Sequence, residues 1–371
     1  MRARSLYVHF PFCESKCHYC DFYSLGRERT RSGDPALFEE SLGREAEVAG
    51  PHLAPELDTV FFGGGTPSMT EVDSAKRALE PLWKHTAVTP QTEWTMEANP
   101  SSVTIETLRA FREWGVNRVS MGVQALRDDL LLKLGRVHSR EAALRALENI
   151  ATAGFENYSV DLLCGVPGQT MGDLEEALST LTSFPITHLS CYLLTLAPHH
   201  RMYPDLPDEE TQLSHLLLID EWMTSRGFEH YEISNFAKPG RRARHNLGYW
   251  KGESYLGLGP SAHSFDAESH RRWKNVSSLH KYGQLLAAGK SVVEWEETLT
   301  AEQRGLERWM LSLRLDEGFP DHWLEDPAQK ARAQAFESKG LLVPHPTRPG
   351  YKRLSPHGFA LSDQVISALA K

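Results

Sequence analysis

The stretch Leu6-Tyr7-Val8-His9-Phe10-Pro11-Phe12-Cys13-Glu14-Ser15-Lys16-Cys17-His18-Tyr19-Cys20-Asp21-Phe22 joins a short apolar run to three cysteines packed within eight residues. Residues 6–10 have the make-up of a buried strand, and the cysteines follow on the loop at its end. Outward from this stretch, the first two-thirds of the chain repeats one rhythm: an apolar run, a Gly- or Asn-rich break, then a stretch of helical period. The pattern predicts strands over 6–10, 59–62, 92–97, 118–121, 159–163 and 188–193. Helices are predicted near 35–49, 71–85, 104–114, 140–153 and 171–184. Such alternation implies parallel strands joined by crossover helices. Six strand–helix units favour an α/β fold built as a partial (β/α)6 TIM-like barrel, although a doubly wound open sheet gives much the same pattern. In such barrels the chemistry collects on the loops behind the strands' C-terminal ends.

Past residue 205 the rhythm changes. A helix is expected over 208–227, then ordered loops and short strands over 231–263. A smaller, mostly helical unit is expected from 298, with helices over 302–315 and 327–339 and a last one from 356. The domains predicted are therefore 1–233, a connecting segment 234–297, and a C-terminal helical domain 298–371. No repeat or low-complexity segment is present.

The formal charge of −9 argues against nucleic acid as the main partner. The one dense basic run, Arg241-Arg242-Ala243-Arg244-His245, reads first as a solvated turn. No secretory signal opens the sequence, and no stretch approaches the ~20 apolar residues a membrane span needs, which places the protein in the cytoplasm. There, five cysteines, three of them clustered, read as metal ligands rather than disulfide staples. Cys164 and Cys191, among apolar neighbours, read as inert core thiols.

The array is C-x3-C-x2-C. Three thiolates so close can each hold one iron of a [4Fe–4S] cubane, leaving the fourth iron without a protein ligand. An open metal position marks a site that binds something else, and the amino and carboxylate group of S-adenosylmethionine (SAM) is its natural occupant. The competing reading is tetrahedral zinc with His18 or His9 as fourth ligand, but no second Cys or His pair at zinc spacing follows.

With Tyr19 beside its last cysteine, this loop resembles that of the radical SAM superfamily. The flanking residues are similar to the group containing the oxygen-independent coproporphyrinogen III oxidases and related heme chaperones. The matching stretches run from residue 6 to about 263. The resemblance implies a SAM-holding set in which Gly64, Gly65 and Thr66 of Gly63-Gly64-Gly65-Thr66-Pro67 contact the methionine end. It adds Tyr7 on the first strand, Glu97 ending the third, Gln124 after the fourth, Arg136 as a carboxylate clamp, and Asp161 near the end of the fifth. Each of these has a structural reading of its own; a carboxylate closing an apolar strand, for example, can pair with a nearby base.

The oxidases of this group carry a further cysteine two positions after the third and a longer segment ahead of the cluster. Here that position is Phe22, and Cys13 comes almost at once. Both departures resemble the heme-chaperone branch. His245-Asn246-Leu247-Gly248-Tyr249-Trp250 resembles its HNxxYW heme motif, with His245 the candidate iron ligand, though His245 could equally cap a loop. In Gly257-Leu258-Gly259-Pro260-Ser261-Ala262-His263, a second family-like loop, His263 is a weaker heme candidate. The resemblance implies a chaperone that binds heme, the cluster and SAM, and passes heme to respiratory hemoproteins. It also implies a homodimer linked to the cluster, and a radical SAM member without coproporphyrinogen oxidase activity. The alternative is a coproporphyrinogen III oxidase acting through a 5′-deoxyadenosyl radical.

Overall fold

The computed structural model describes residues 2–370. Six strands carry the barrel pattern: β1 (Ser5–Phe10), β2 (Thr59–Gly64), β3 (Glu93–Ala98), β4 (Arg118–Gln124), β5 (Tyr158–Cys164) and β6 (His188–Leu193). Between them lie α1 (Asp34–Ala49), α2 (Val72–Leu79), α3 (Ile105–Trp114), α4 (Asp128–Leu134), α5 (Arg140–Thr152) and α6 (Met171–Thr182). β1 to β4 pair in parallel and in sequence order. The fold is α/β, a partial (β/α)6 barrel followed by a smaller C-terminal assembly.

The expected set of helices needs two corrections. The expected helix over 71–85 stops at Leu79 and continues as a 3₁₀ turn, Glu80–Lys84. Pro81 has no N–H to continue the α-helical ladder. α4 was not expected at all: seven residues are too few to show a period, and Gly135 ends it at φ 76.

The chain forms two compact units. The first comprises residues 1–161, 183–187 and 253–298; the second comprises 162–182, 188–252 and 299–371. In the first unit, β1 alternates strictly. Leu6, Val8 and Phe10 are fully buried on one face, whereas Tyr7 and His9 take the other, so the polar side chains share the inner face. On the outer side, Trp94 packs edge-to-face with Phe62 at 5.4 Å and with Trp114 at 5.0 Å.

β1 also has a second parallel neighbour, β9 (Tyr255–Leu258). From β9 the sheet continues antiparallel through β10 (His263–Asp266), β11 (Arg271–Asn275) and β12 (Val293–Thr298). Helix α9 (Leu279–Ala287) packs on α1 through a buried carboxylate. Glu45 of α1 accepts from the Tyr282 hydroxyl, from Asn275 Nδ2 at 2.7 Å and from the Gly259 amide at 2.7 Å.

In the second unit, β6 pairs antiparallel with β8 (Asn235–Ala237), which pairs with β7 (Glu229–Glu232). Helices α7 (Glu209–Thr224) and α8 (Arg244–Trp250) belong here too. The stretch expected to hold only loops and short strands therefore includes a helix, and that helix carries the HNxxYW residues. The C-terminal residues form α10 (Ala301–Ser312), α11 (Pro327–Ser338), α12 (Pro356–Ala360) and α13 (Ser362–Leu369). They also form a three-stranded antiparallel sheet of β13 (Phe319–Pro320), β15 (Tyr351–Leu354) and β14 (Leu342–Pro344). Trp309, Leu313, Phe319, Leu342, Leu354 and Val365 lie in one core, and the short strands among them were not expected in a unit read as mostly helical.

Candidate functional site

The glycine loop behind β2 lies directly on the backbone leading to the cysteines. The Gly65 amide donates to the Phe10 carbonyl at 2.7 Å, and the Thr66 amide to that of Phe12 at 2.7 Å. A Cβ on Gly65 would stand 2.5 Å from the Phe12 carbonyl oxygen and 2.7 Å from that of Phe10, so only glycine permits this approach. At Gly64, φ is 103 and a Cβ would meet the His9 ring at 2.6 Å. The buried Thr66 hydroxyl donates to Cys13 Sγ at 3.6 Å and accepts from Asn99 Nδ2 at 2.8 Å.

The end of α4 holds the same loop from another side. His18 donates its amide to the Leu134 carbonyl at 3.1 Å, and its Nδ1 lies 3.1 Å from the Lys133 carbonyl. Gly135 then turns the chain so that the Arg136 guanidinium reaches Cys17 Sγ at 3.3 Å, Asn99 Oδ1 at 2.6 Å and the Gly122 carbonyl at 2.6 Å. Burial works against the Arg136 charge, yet the sulfur of Cys17 and the phenol of Tyr19 leave its pKa above the ordinary value. Burial pushes the Cys13 and Cys20 thiols up, so metal uptake must displace their protons.

On the inner face, Glu97 Oε2 accepts from the Gly64 amide at 3.1 Å. Burial, and then the charge of Asp161, raise the Glu97 carboxyl to about 7. Asp161 is held by the Ser120 hydroxyl at 3.1 and 3.3 Å. The Tyr7 hydroxyl lies 3.0 Å from His9 Nδ1, and His9 Nε2 lies 2.8 Å from the Tyr23 carbonyl. Gln124, the last residue of β4, sits at φ 68, a left-handed conformation rare outside glycine and found where a site imposes it. Tyr7, Gly64, Gly65, Thr66, Glu97, Gln124, Arg136, Asp161 and the three cysteines all lie in the first unit.

The donor set fits an iron–sulfur cluster. Three half-buried thiols share one loop, with a guanidinium aimed at one and a hydroxyl at another, both of which favour the thiolate. The histidines offered for zinc are engaged: both His9 nitrogens have partners, and burial takes His9 down to about 4. Among the described residues, no three His, Cys, Asp or Glu side chains close on a single ion. Thiolates on a cubane's separate irons stand farther apart than ligands about 2.3 Å from one zinc.

His245 lies apart from this set, in the second unit on α8. It is 1% exposed, and its Nε2 is 2.7 Å from the Tyr249 hydroxyl one helical turn on. Coordination through His245 Nε2 therefore requires breaking that contact and exposing the ring. Sequence reasoning also missed Asn99 and Ser120. Asn99 bridges Thr66 to Arg136, and its one visible signal is its place two residues beyond Glu97 at a strand end.

The sequence pattern of the Radical SAM superfamily matches residues 7–181. Among solved structures, coproporphyrinogen III oxidase (HemN) from Escherichia coli, a radical SAM enzyme, superimposes with a TM-score of 0.84. That match covers 100% of this chain and 90% of that one at 20% identity, a likeness of fold. The cysteine loop behind β1, the glycine loop behind β2 and the polar strand ends thus belong to a radical SAM protein. Heme chaperone HemW of Bacillus subtilis is 35% identical over 85% of this chain and 84% of its own length. Heme chaperone HemW of Mycobacterium tuberculosis is 33% identical over 98% and 94%. Within the superfamily, the chain belongs to the HemW family.

Proposed function

We propose that this protein is a cytoplasmic heme chaperone, which binds heme and passes it to respiratory hemoproteins. In this reading Cys13, Cys17 and Cys20 hold a [4Fe–4S] cluster and SAM occupies the iron left open. The observation that carries it is a complete strand-end site in a chain that belongs to the HemW family from end to end. The cluster, when bound, supplies a Lewis-acidic corner for the amino-acid end of SAM.

The chain's own residues do the rest. Arg136 offsets the thiolate charge at Cys17 and fixes Asn99, which in turn orients Thr66. The Gly64–Thr66 backbone offers close-lying polar groups to the methionine moiety. Glu97, Asp161, Tyr7 and Gln124 line the inner face as acceptors and donors for the rest of SAM. With its fourth position filled by exposed Phe22 in place of a cysteine, the loop resembles that of the chaperones and not the oxidases. We include in the proposal a homodimer linked to the cluster.

Anaerobically reconstituted protein should carry about four irons per chain, bind SAM and take up heme stoichiometrically through gel filtration. With coproporphyrinogen and reductant it should form no protoporphyrinogen. Conversion of coproporphyrinogen, or a cluster-loaded protein that takes up no heme, would overturn the reading.

A further inference from the structure

His9 lies buried on the inner face of β1, and both of its ring nitrogens are taken. Nε2 is 2.8 Å from the Tyr23 carbonyl, and Nδ1 is 3.0 Å from the Tyr7 hydroxyl. A carbonyl can only accept, so Nε2 carries the hydrogen. Burial holds the His9 pKa down at about 4, which leaves the ring neutral at pH 7. A neutral imidazole with its hydrogen on Nε2 has only a lone pair at Nδ1. The Tyr7 hydroxyl is therefore the donor in the second bond, and its oxygen has lone pairs alone to offer a ligand.

The arrangement is held from several sides. A Cβ on Gly64 would stand 2.6 Å from the His9 ring, and one on Gly259 would stand 2.5 Å from the His9 carbonyl oxygen. Tyr23, three residues past Cys20, is fixed by a group 256 positions away: its hydroxyl accepts from the Leu279 amide at 2.8 Å. Leu279 is the first residue of α9. The first amides of a helix have no partner within it, so the phenol satisfies one that the helix cannot. Nor is α9 free to follow a displaced Tyr23. Tyr282, on its first turn, donates to Glu45 of α1, and Glu45 also accepts from the Gly259 amide and from Asn275 on β11. All of these residues lie in the first unit.

We infer that Tyr23 is a positioning residue: gripped by α9 through its hydroxyl, it holds His9 in the Nε2–H tautomer through its carbonyl, and so makes Tyr7 an acceptor toward SAM. The part of SAM that meets Tyr7 must then be a donor or carry positive charge. Its ribose hydroxyls, its adenine amine and its sulfonium meet that requirement, and its carboxylate does not. Residues 253–298, which supply none of the strand-end groups, thereby act on the site through α9. The inference rests on the SAM-binding reading above and deepens it by giving one contact a direction.

The test has two arms. In the cluster-free full chain, long-range proton–nitrogen spectra of the imidazoles, with His9→Gln to assign the signal, should show His9 as the neutral Nε2–H tautomer at pH 7. An Nδ1–H tautomer or an imidazolium there would overturn the inference. In the anaerobically reconstituted full chain, Tyr23→Phe should keep the wild-type iron content yet bind SAM about fivefold more weakly in calorimetry. Tyr7→Phe should weaken SAM about tenfold, and the double variant no more than Tyr7→Phe alone, because Tyr23 acts through Tyr7. Unchanged SAM affinity in Tyr23→Phe, loss of its iron, or losses that multiply in the double variant would each overturn the positioning role and leave the SAM reading standing. If cluster-loaded wild type binds no SAM, the SAM reading itself fails, whatever the tautomer.

Discussion

Glu97 shows how one side chain reports on its surroundings. Its carboxyl is raised from 4.5 to about 7 by burial and by Asp161. Across that window the folded protein holds a proton that the unfolded chain has released. Stability therefore falls as pH rises from about 4.5 to about 7, by about 2 kcal/mol once the partial exposure of Glu97 is allowed for. Urea midpoints measured from pH 5 to pH 8 on cluster-free protein should show the decline, and Glu97→Gln should lessen it, leaving the part due to Glu45, which burial also raises to about 7. Arg136 makes the complementary case, since its guanidinium serves Cys17, Asn99 and Gly122 at once. No ammonium can hold that planar fork. Arg136→Lys should weaken SAM binding about tenfold, nearly as much as Arg136→Ala, in calorimetry of the reconstituted protein. Rescue by lysine would mean that charge alone matters there.

At the scale of elements, the site is a junction of loops. The glycine loop behind β2 and the end of α4 both bond to the backbone around the cysteines, so each controls the others' position. Gly65→Ala would drive a methyl group into two carbonyl oxygens. It should cost about 3 kcal/mol in chemical denaturation, and the displaced loop should retain less iron on reconstitution. Retention of full iron content would show that the cysteine loop orders itself independently. Glu97 was legible in the sequence because it interrupts an apolar run with a charge directly after Met96, whereas Asp161, set within β5, came through the family resemblance. α4 and the bond from His18 to Leu134 were not, since a seven-residue helix shows no period and its partner lies over a hundred residues away. Pro81 was visible, yet its effect on the expected helix was overlooked.

For the molecule as a whole, the two units draw on separated stretches of chain, and each has its own core. In the second unit, Leu313 is fully buried among Trp309, Phe319 and Leu354. Leu313→Ala should destabilise that core by about 2–5 kcal/mol, seen as an earlier urea transition in near-UV signal from Trp309 and Trp323. No helix among the described residues is long and apolar enough to cross a membrane.

The sequence by itself determined the six strand–helix repeats, the cysteine array and the carboxylates set into β3 and β5. These depend on composition and spacing within a few residues, which the physics of burial makes legible. Only the tertiary structure decided that β9 pairs with β1 some 250 positions away, and that His263 stands in a row with Lys274 and Trp295. Those facts depend on register between distant strands, and register is settled by global packing that no local pattern encodes.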